Sequence, residues 1–159
     1  MLRLIPAPLH RAAYRVAHFL RCKWLRQRGG TVYGCAVVAR DGEGRLLLVR
    51  HSYGPDCWEF PAGARRRSES AEATARREFR EEVGCAIEEV AHLGQVAEPY
   101  HGATNVVDVF TGRIEGEPRA DGREIVEVGL FAPESLPAPL GVTARRRLEM
   151  LHRVQNSAS

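Results

Sequence analysis

The chain has 159 residues, 44% of them apolar and 27% charged, and its formal net charge is +3 at pH 7. These values predict one globular domain with one core. No apolar run approaches the roughly 20 residues that a membrane-spanning helix needs. The four cysteines lack any CxxC or related metal-ligand spacing. We therefore expect reduced thiols, a cytoplasmic location and no membrane span.

Residues 1–30 are expected to form an amphipathic helical extension, with the helix over Leu9–Arg26. No Asp or Glu occurs in residues 1–40, whereas basic residues are frequent there. The sequence leaves three roles open: packing or dimerisation, contact with a membrane surface or an acidic partner, and an Arg-rich targeting segment. The apolar positions that recur at helical spacing are Leu9, Ala13, Val16, Ala17, Leu20 and Trp24.

Residues 31–155 are expected to form the main domain, and residues 156–159 a disordered tail. Thr31–Arg40 and Arg45–His51 predict a hairpin around a glycine-rich turn. The irregular succession of strands and helices favours an α/β (α+β) fold with a mixed sheet between helices. The remaining predicted elements are strands near Ile87–Val96, Asn105–Ile114 and Ile125–Phe131, a short helix at Pro133–Leu136, and a closing helix at Val142–Val154 with Arg145, Arg146 and Arg147 mostly toward solvent.

Ser68–Val83 carries the strongest helix signal in the chain. Ser68 or Ser70 can accept the N-cap hydrogen bond, and Gly84 suits the left-handed residue that often follows a helix. A stripe at every fourth position is expected to face the core, and it consists of Ala71, Ala75, Phe79 and Val83.

The same helix carries Glu78, Glu81 and Glu82 at positions i, i+3 and i+4, so the three carboxylates project from one side. Like charges at this spacing repel one another, and a divalent cation would reverse the sign of that interaction. Oxygen ligands suit hard ions, which here means Mg²⁺ or Mn²⁺. Taken alone, however, three glutamates with interleaved arginines are better explained as a solvated helix face.

The spacing of the surrounding residues changes that interpretation. Gly63 is followed after five residues by Glu69, after seven more by Arg77-Glu78, and then by Glu81-Glu82 and Gly84. This segment resembles the Nudix box, Gly-x5-Glu-x7-Arg-Glu-U-x-Glu-Glu-x-Gly-U, at all of its fixed positions. The departures are two U positions, usually aliphatic, that hold Phe79 and Cys85.

The similarity continues on both sides of the box. Residues 58–63, Trp-Glu-Phe-Pro-Ala-Gly, resemble the segment that leads into it, and residues 124–137 resemble the usual closing segment. Most of residues 31–137 is therefore similar to the MutT-like hydrolases of the Nudix family. The extension before residue 31 is not part of the common module.

This resemblance implies a Nudix-type α/β/α sandwich that hydrolyses a nucleoside diphosphate linked to a moiety X, with Mg²⁺ as cofactor and Mn²⁺ as its substitute. The implied general base is Glu81 or Glu82, with Glu78 next and Glu124 as an outside candidate. Arg77 matches the residue that orients the first glutamate, and Glu69 is its expected partner. The implied metal ligands are Glu78, Glu81, Glu82 and the backbone carbonyl of Gly63, with Glu124 as a further candidate.

Substrate contacts are expected at Arg50, at a strand end, and at Trp58 and Phe60, whose rings can stack on a base. The expected partner is a small nucleoside diphosphate derivative, with ADP-ribose or a nucleotide sugar ahead of a nucleoside triphosphate. Neither DNA nor RNA is expected as a partner, and a homodimer remains open. The rival interpretation is a Nudix-fold module that binds a nucleotide or a partner without catalysis.

Overall fold

The computed structural model describes residues 7–157, so residues 1–6 of the expected extension and residues 158–159 of the expected tail lie outside it. Three helices and six strands follow one another along the chain. They are α1 (Ala7–Arg28), β1 (Thr31–Arg40), β2 (Leu46–His51), β3 (Ala62–Ala64), α2 (Ala71–Val83), β4 (Ala86–Tyr100), β5 (Ala103–Glu115), β6 (Ile125–Phe131) and α3 (Val142–Ser157).

One mixed sheet forms the centre of the domain, with strand order β4-β5-β1-β2-β6 and β3 paired to β1. The pair β1–β5 is parallel and the other pairs are antiparallel. Successive side chains of β1 point to opposite faces. Val37 packs in the core cluster that contains α2, and Val38 packs in the cluster that contains α3. The predicted mixed sheet between helices is therefore confirmed.

The sheet splits where the chain approaches the Nudix-like segment. β1 pairs with β2 only at Arg40↔Leu46, whereas Gly34–Ala36 pair with β3. The segment 58–61 runs between the two strands. Glu59 pairs with Val49 of β2 in an isolated antiparallel bridge and not in a regular hairpin ladder. The predicted hairpin thus holds only at its closed end, because this segment takes the hydrogen bonds of the diverging strands.

Local sequence signals fix both ends of α2. The Ser70 side chain accepts a 3.1 Å hydrogen bond from the backbone N–H of Ala73, which satisfies one free donor of the first turn. Gly84 has φ 73 and its N–H donates to the Arg80 carbonyl, so the helix ends in the left-handed conformation that glycine adopts without strain. Phe79 and Val83 are fully buried against the sheet, as the apolar stripe predicts.

The orientation of α1 differs from the packing expected for its apolar stripe. The predicted stripe faces solvent, with Leu20 57% and Trp24 52% exposed, while the opposite face buries Cys22 and Leu25. Arg15 Nε donates a 3.0 Å hydrogen bond to the Ser52 carbonyl and fixes the helix to the loop after β2. Tertiary contacts of the less apolar face therefore outweigh the helical periodicity.

Three further expectations near the C-terminus need correction. Residues 133–136 form a turn closed by a Ser135 N–H to Ala132 carbonyl bond, because prolines on both sides leave no room for a helix. Arg147 is buried, at 5% exposed, and does not face solvent. α3 continues to Ser157, whose hydroxyl donates to the Arg153 carbonyl, so residues 156–157 belong to the helix.

Candidate active site

A very close approach between backbone and side chain in the site lies between Gly63 and Glu78. Gly63 is the middle residue of β3 and pairs with Cys35 of β1. A Cβ atom built on Gly63 would lie well under 3.0 Å from the carboxyl end of Glu78. The glycine is therefore required for close packing, since any side chain here would displace the first carboxylate of α2 from the loop backbone.

Arg77 holds that carboxylate in place. Its guanidinium forms a bidentate pair with Glu69, with Nε–Oε1 2.7 Å and Nη2–Oε2 2.8 Å, and its Nη1 lies 2.6 Å from Glu78. Nη2 also donates to the Ala64 carbonyl at 3.2 Å. The two hydrogen bonds from Arg77 lower the pKa of Glu69 to about 2. The planar guanidinium of Arg77 thus links the end of β3, the segment before α2 and the Glu78 side chain.

Glu82 is the deepest of the helix carboxylates. Its side chain is 4% exposed and accepts a 3.3 Å hydrogen bond from the Ala62 N–H. Burial raises the pKa of Glu82 well above its usual range, and the nearby Glu124 and Glu78 raise it further. Burial also raises the pKa of Glu78 and of Glu124. The site therefore concentrates carboxylates whose charged forms are poorly solvated.

His51 and Glu124 complete this acidic cluster. One ligand atom from each of His51, Glu82 and Glu124 lies within 4.8 Å of the other two, and the Tyr53 hydroxyl donates to Glu124. His51 Nδ1 is buried and has no hydrogen-bond partner among residues 7–157. Burial lowers the pKa of His51 to about 4, so its ring is neutral at pH 7. A neutral imidazole beside two crowded carboxylates is a donor set that suits a divalent cation.

Glu81 occupies a different environment from its neighbours. Its side chain is 53% exposed and lies 3.2 Å from Arg77 Nη1 and 3.8 Å from Arg66 Nη2. It lines the cavity together with Glu78 and Glu124. The structure thus brings all four predicted carboxylates to one region, with Glu82 behind them and Glu81 toward the open space.

The predicted substrate contacts are placed less favourably. Arg50 pairs on the surface with Asp56 and with Glu127, the latter at 2.9 Å, and does not line the cavity. Trp58 packs edge-on against Phe131, with ring centroids 5.0 Å apart, and Phe60 is fully buried, although it lines part of the cavity. We therefore withdraw Arg50 and Trp58 as substrate contacts, since surface ion pairs and core packing already occupy them.

Sequence reasoning missed His51 for a simple geometric reason. Side chains alternate along a strand, so Arg50 and His51 at the end of β2 point in opposite directions. Position 50 holds arginine, a residue type that suits contacts to phosphate. Only the direction in which each side chain of β2 points relative to the core distinguishes position 50 from position 51. Val49 and His51 share one face, but Leu48 on the other face is buried as well, so the apolar pattern of β2 does not show which face carries the site.

The cavity has a volume of about 620 Å³ and extends from the glutamates to a polar floor. Arg147 and Glu98, each 5% exposed, lie there 3.7 Å apart, and Arg147 is equally far from Glu59. Arg147 Nε and Glu98 Oε1 are buried, and neither has a hydrogen-bond partner in the part of the chain that the structure describes. Burial lowers the pKa of Arg147. The floor therefore presents both an unsatisfied donor group and an unsatisfied acceptor.

The spacing within α3 could have identified Arg147. Ala144, Leu148 and Leu151 are buried, and position 147 falls on the same helix face, three residues after Ala144. An arginine on a buried helix face marks either a paired charge or a ligand contact.

A sequence model described as the NUDIX domain matches residues 31–153. The chain belongs to the Nudix family. This membership confirms the family predicted from the box. The matched range begins with β1, so α1 lies outside it.

Solved structures of Nudix proteins agree with this assignment. A MutT Nudix hydrolase from Burkholderia pseudomallei is 31% identical, with a TM-score of 0.70 over 76% of this chain and 98% of that one. A MutT protein from Methanosarcina mazei has a TM-score of 0.69 at 21% identity, over 80% of this chain and 97% of that one, and supports the fold.

Similar curated proteins include two bacterial RNA pyrophosphohydrolases. The one from Teredinibacter turnerae is 46% identical over 57 residues, which is 36% of this Nudix chain and 33% of that protein. The one from Saccharophagus degradans is 41% identical over 58 residues, 36% of this chain and 34% of that protein. The aligned region thus spans about a third of the length of these relatives.

Within residues 7–157 no helix has the length and apolarity needed to cross a membrane.

We predict that Gly63→Ala lowers kcat by about 100-fold, because the added methyl displaces Glu78 and misplacement of a catalytic group by an ångström costs roughly that much. The measurement is steady-state hydrolysis by a variant whose folding is checked by circular dichroism. Gly42→Ala is the matched control, since a Cβ at Gly42 meets nothing within 4 Å. Activity of Gly63→Ala within threefold of the parent chain would show that the close approach is not needed.

We predict that Glu82→Gln increases stability without metal at pH 8 by about 1 to 3 kcal/mol, the penalty of burying a poorly satisfied polar group. The pKa of Glu82 is raised in the folded state, so that state binds more protons than the unfolded chain above the ordinary carboxyl pKa. The free energy of unfolding then falls as pH rises through this window, and removing the carboxylate weakens the dependence.

Urea unfolding in EDTA at pH 5 and pH 8 measures this effect. Glu81→Gln is the control, and its change should stay within about 0.5 kcal/mol because that side chain is half exposed. A Glu82→Gln variant that is less stable than the parent chain at pH 8 would contradict the account.

Proposed function

We propose that this Nudix protein is a Mg²⁺-dependent pyrophosphohydrolase that cleaves the diphosphate linkage of a nucleoside diphosphate joined to a moiety X. The observation that carries the proposal is the cluster of buried carboxylates, Glu78, Glu82 and Glu124, beside His51 at one end of an open cavity. Such a cluster is costly without a cation. Its oxygen-rich donor set fits Mg²⁺, and Mn²⁺ is expected to substitute.

The ligands we assign follow from burial and contact. Glu78 lies against Gly63 of β3, Glu82 accepts a hydrogen bond from the neighbouring Ala62, and Glu124 and His51 lie beside Glu82, so we assign these side chains and the Gly63 carbonyl as ligands. When bound, the cation supplies positive charge that offsets the diphosphate and makes water easier to deprotonate. Arg77 keeps Glu78 oriented through its 2.6 Å contact while Glu69 holds the other side of the guanidinium.

Glu81 is the residue we propose as general base. It lines the cavity and is half exposed, so it can reach a water molecule that attacks phosphorus. Glu82 is the weaker candidate, because it is nearly inaccessible and its raised pKa favours the protonated form in the metal-free protein. The arginines at positions 65 and 66 line the cavity beside it and suit contacts to phosphate oxygens.

The hydrogen-bonding groups of the polar floor suit a nucleobase bound at the far end of the cavity. Arg147 offers adjacent N–H donors and Glu98 offers adjacent acceptors, both buried and incompletely bonded. Guanine presents the complementary pattern, with two neighbouring acceptors, O6 and N7, and two neighbouring donors, N1–H and N2–H. Adenine lacks the paired donors. We therefore propose a guanine nucleotide as the preferred substrate.

A 5′-triphosphorylated RNA is the second candidate substrate. The supporting observation is that similar curated proteins are named RNA pyrophosphohydrolases. The comparison covers about a third of those proteins, so it supports the reaction type better than the identity of X. The cavity that we describe suits one nucleotide, whereas an RNA chain would need to leave through its open side.

We predict that Glu81→Gln and Glu82→Gln each lower kcat by about 10² to 10⁴-fold, the range that general acid–base and metal-supporting groups contribute. Glu72→Gln is the matched control, because Glu72 lies on the same helix and is 51% exposed, close to the 53% of Glu81. Release of phosphate, diphosphate or nucleoside monophosphate is measured with Mg²⁺, with Mn²⁺ and in EDTA.

The substrate panel contains nucleoside triphosphates, ADP-ribose, nucleotide sugars, dinucleoside polyphosphates and 5′-triphosphorylated RNA. GTP is expected to show kcat/KM about tenfold above ATP, because loss of a paired polar contact at a buried site discriminates strongly. Near-normal turnover by both glutamine variants would contradict the mechanism. Binding of nucleotides without hydrolysis of any substrate would favour the non-catalytic module instead.

A further inference from the structure

A second group of metal-ligating side chains lies where α1 meets the turn between β4 and β5. His18 and Cys22 are one helical turn apart on the buried face of α1, and His101 belongs to the turn. One ligand atom from each lies within 4.8 Å of the other two. The group shares no residue with the carboxylate cluster and contains imidazole and thiol donors in place of carboxylates.

The separation of His18 and Cys22 matches that of two ligands of one tetrahedral ion. His18 Nε2 and Cys22 Sγ are 3.5 Å apart. Zinc lies about 2.3 Å from sulfur and about 2.0 Å from nitrogen, so tetrahedral ligands of these types are about 3.5 Å apart. The rings of His18 and His101 are edge-on, with centroids 5.8 Å apart, and a ring nitrogen of each lies within 4.8 Å of the other and of Cys22 Sγ.

The surroundings also favour ligation. Cys22 is 8% exposed, which protects a thiolate from solvent reactions. Burial lowers the pKa of His18, and the neighbouring His101 and Arg21 lower it further, so the ring is neutral at pH 7 as a ligand must be. His101 has φ 48, and a Cβ at the following Gly102 would lie 3.1 Å from Arg26 Cα, so the turn fits closely against α1.

We propose that His18, Cys22 and His101 bind Zn²⁺ and thereby fasten α1 to the Nudix domain. Two nitrogens and one sulfur suit zinc better than Mg²⁺, which prefers oxygen. The paired His18 and Cys22 come from consecutive turns of one helix, and His101 comes from a distant part of the chain. Such a site stabilises the docked position of an element that the family module does not include.

Cobalt substitution tests this site directly. With excess Mg²⁺ present, Co²⁺ should give a thiolate-to-cobalt charge-transfer band and tetrahedral visible bands in the full chain. The carboxylate cluster cannot give the thiolate band, and burial raises the pKa of its neighbour Cys35 to about 12, which keeps that residue a thiol. Zn²⁺ should displace Co²⁺ stoichiometrically.

Cys22→Ser and His101→Gln should each weaken Zn²⁺ binding at least tenfold, and Cys57→Ser, at a half-buried cysteine outside the group, should leave it unchanged. His18→Gln serves as the additional variant where Cys22→Ser does not fold. Zn²⁺ should also raise the melting temperature of the parent chain but not of Cys22→Ser. Absence of the thiolate band, or its persistence in Cys22→Ser, would overturn the proposal.

The outward face of α1 provides an independent observation. Nine large apolar side chains are exposed in the described part of the chain, and five of them lie on this helix: Leu9, Val16, Phe19, Leu20 and Trp24. A contiguous exposed patch of this kind marks an interaction surface. All of these except Phe19 belong to the stripe that the sequence predicts, and the stripe is turned away from the domain.

The charges beside this face indicate its partner. Arg15, Arg21, Lys23, Arg26 and Arg28 are exposed along α1, and residues 1–40 contain no acidic side chain. A symmetric contact between two copies of α1 would bring these cations together with no carboxylate of the helix to offset them. An anionic bilayer surface offers both an apolar interior and negative headgroups.

We infer that the outward face of α1 binds reversibly to anionic phospholipid surfaces, with the helix lying in the interface. Sedimentation with vesicles tests this inference, comparing neutral phosphatidylcholine with a mixture that contains phosphatidylglycerol. Binding should appear only with the anionic vesicles and should weaken at least tenfold at high salt.

A Phe19→Ser/Leu20→Ser variant should lose at least tenfold in vesicle partitioning, and Val142→Ser/Val154→Ser, at exposed apolar positions on α3, should not. Both variants alter exposed side chains, so hydrolytic activity should report an intact domain. Equal partitioning of the two variants, or no binding to anionic vesicles, would overturn the inference. A stable dimer that Phe19→Ser/Leu20→Ser dissociates would replace the lipid with a second copy of the chain.

Discussion

The arrangement of the site depends on the close contact between the Gly63 backbone and the Glu78 side chain. This contact requires β3 to pair with β1 and the segment 58–61 to separate β1 from β2. It also requires α2 to lie on the sheet at a fixed depth, which Phe79 and Val83 set by packing into the core. The split in the sheet is therefore the structural feature that brings a loop backbone and a helix carboxylate to one point.

The acidic side chains that meet at this point carry an electrostatic cost. Glu78, Glu82 and Glu124 are each substantially buried, and burial raises the pKa of all three. Arg77 pairs with Glu69, Glu78 and Glu81, whereas Glu82 accepts its hydrogen bond from the backbone N–H of Ala62. The domain consequently carries poorly compensated acidic groups, which a divalent cation would neutralise. We therefore expect the same groups to lower stability without metal and to raise affinity for metal.

Local features of the sequence were predictable because they depend on short-range geometry. Ser70 and Gly84 cap α2 through hydrogen bonds within one turn, and the spacing of Glu78, Glu81 and Glu82 places them on one side of any helix. β1 was predicted over its full length from a continuous apolar run, which is typical of a strand buried on both faces.

Features that depend on which face meets the domain were not predictable. Arg50 and His51 differ only in strand parity, and the site lies on the side of His51. The apolar stripe of α1 faces outward because the opposite face carries Leu25 and Cys22 against the domain. Arg147 differs from these two cases because its position was predictable: it alone of the three consecutive arginines shares the helix face of Ala144, Leu148 and Leu151. Periodicity identifies an amphipathic helix but not what surrounds its apolar face.

The central claim is that the buried carboxylates of α2 hold a divalent cation. Titration with Mn²⁺, followed by the electron paramagnetic resonance signal of the free ion, measures this binding without reference to any substrate. The account predicts saturable binding that Glu78→Gln and Glu82→Gln each weaken at least tenfold, as loss of one charged ligand does, while Glu72→Gln binds like the parent chain. Equal Mn²⁺ affinity in the parent chain and in Glu82→Gln would contradict it.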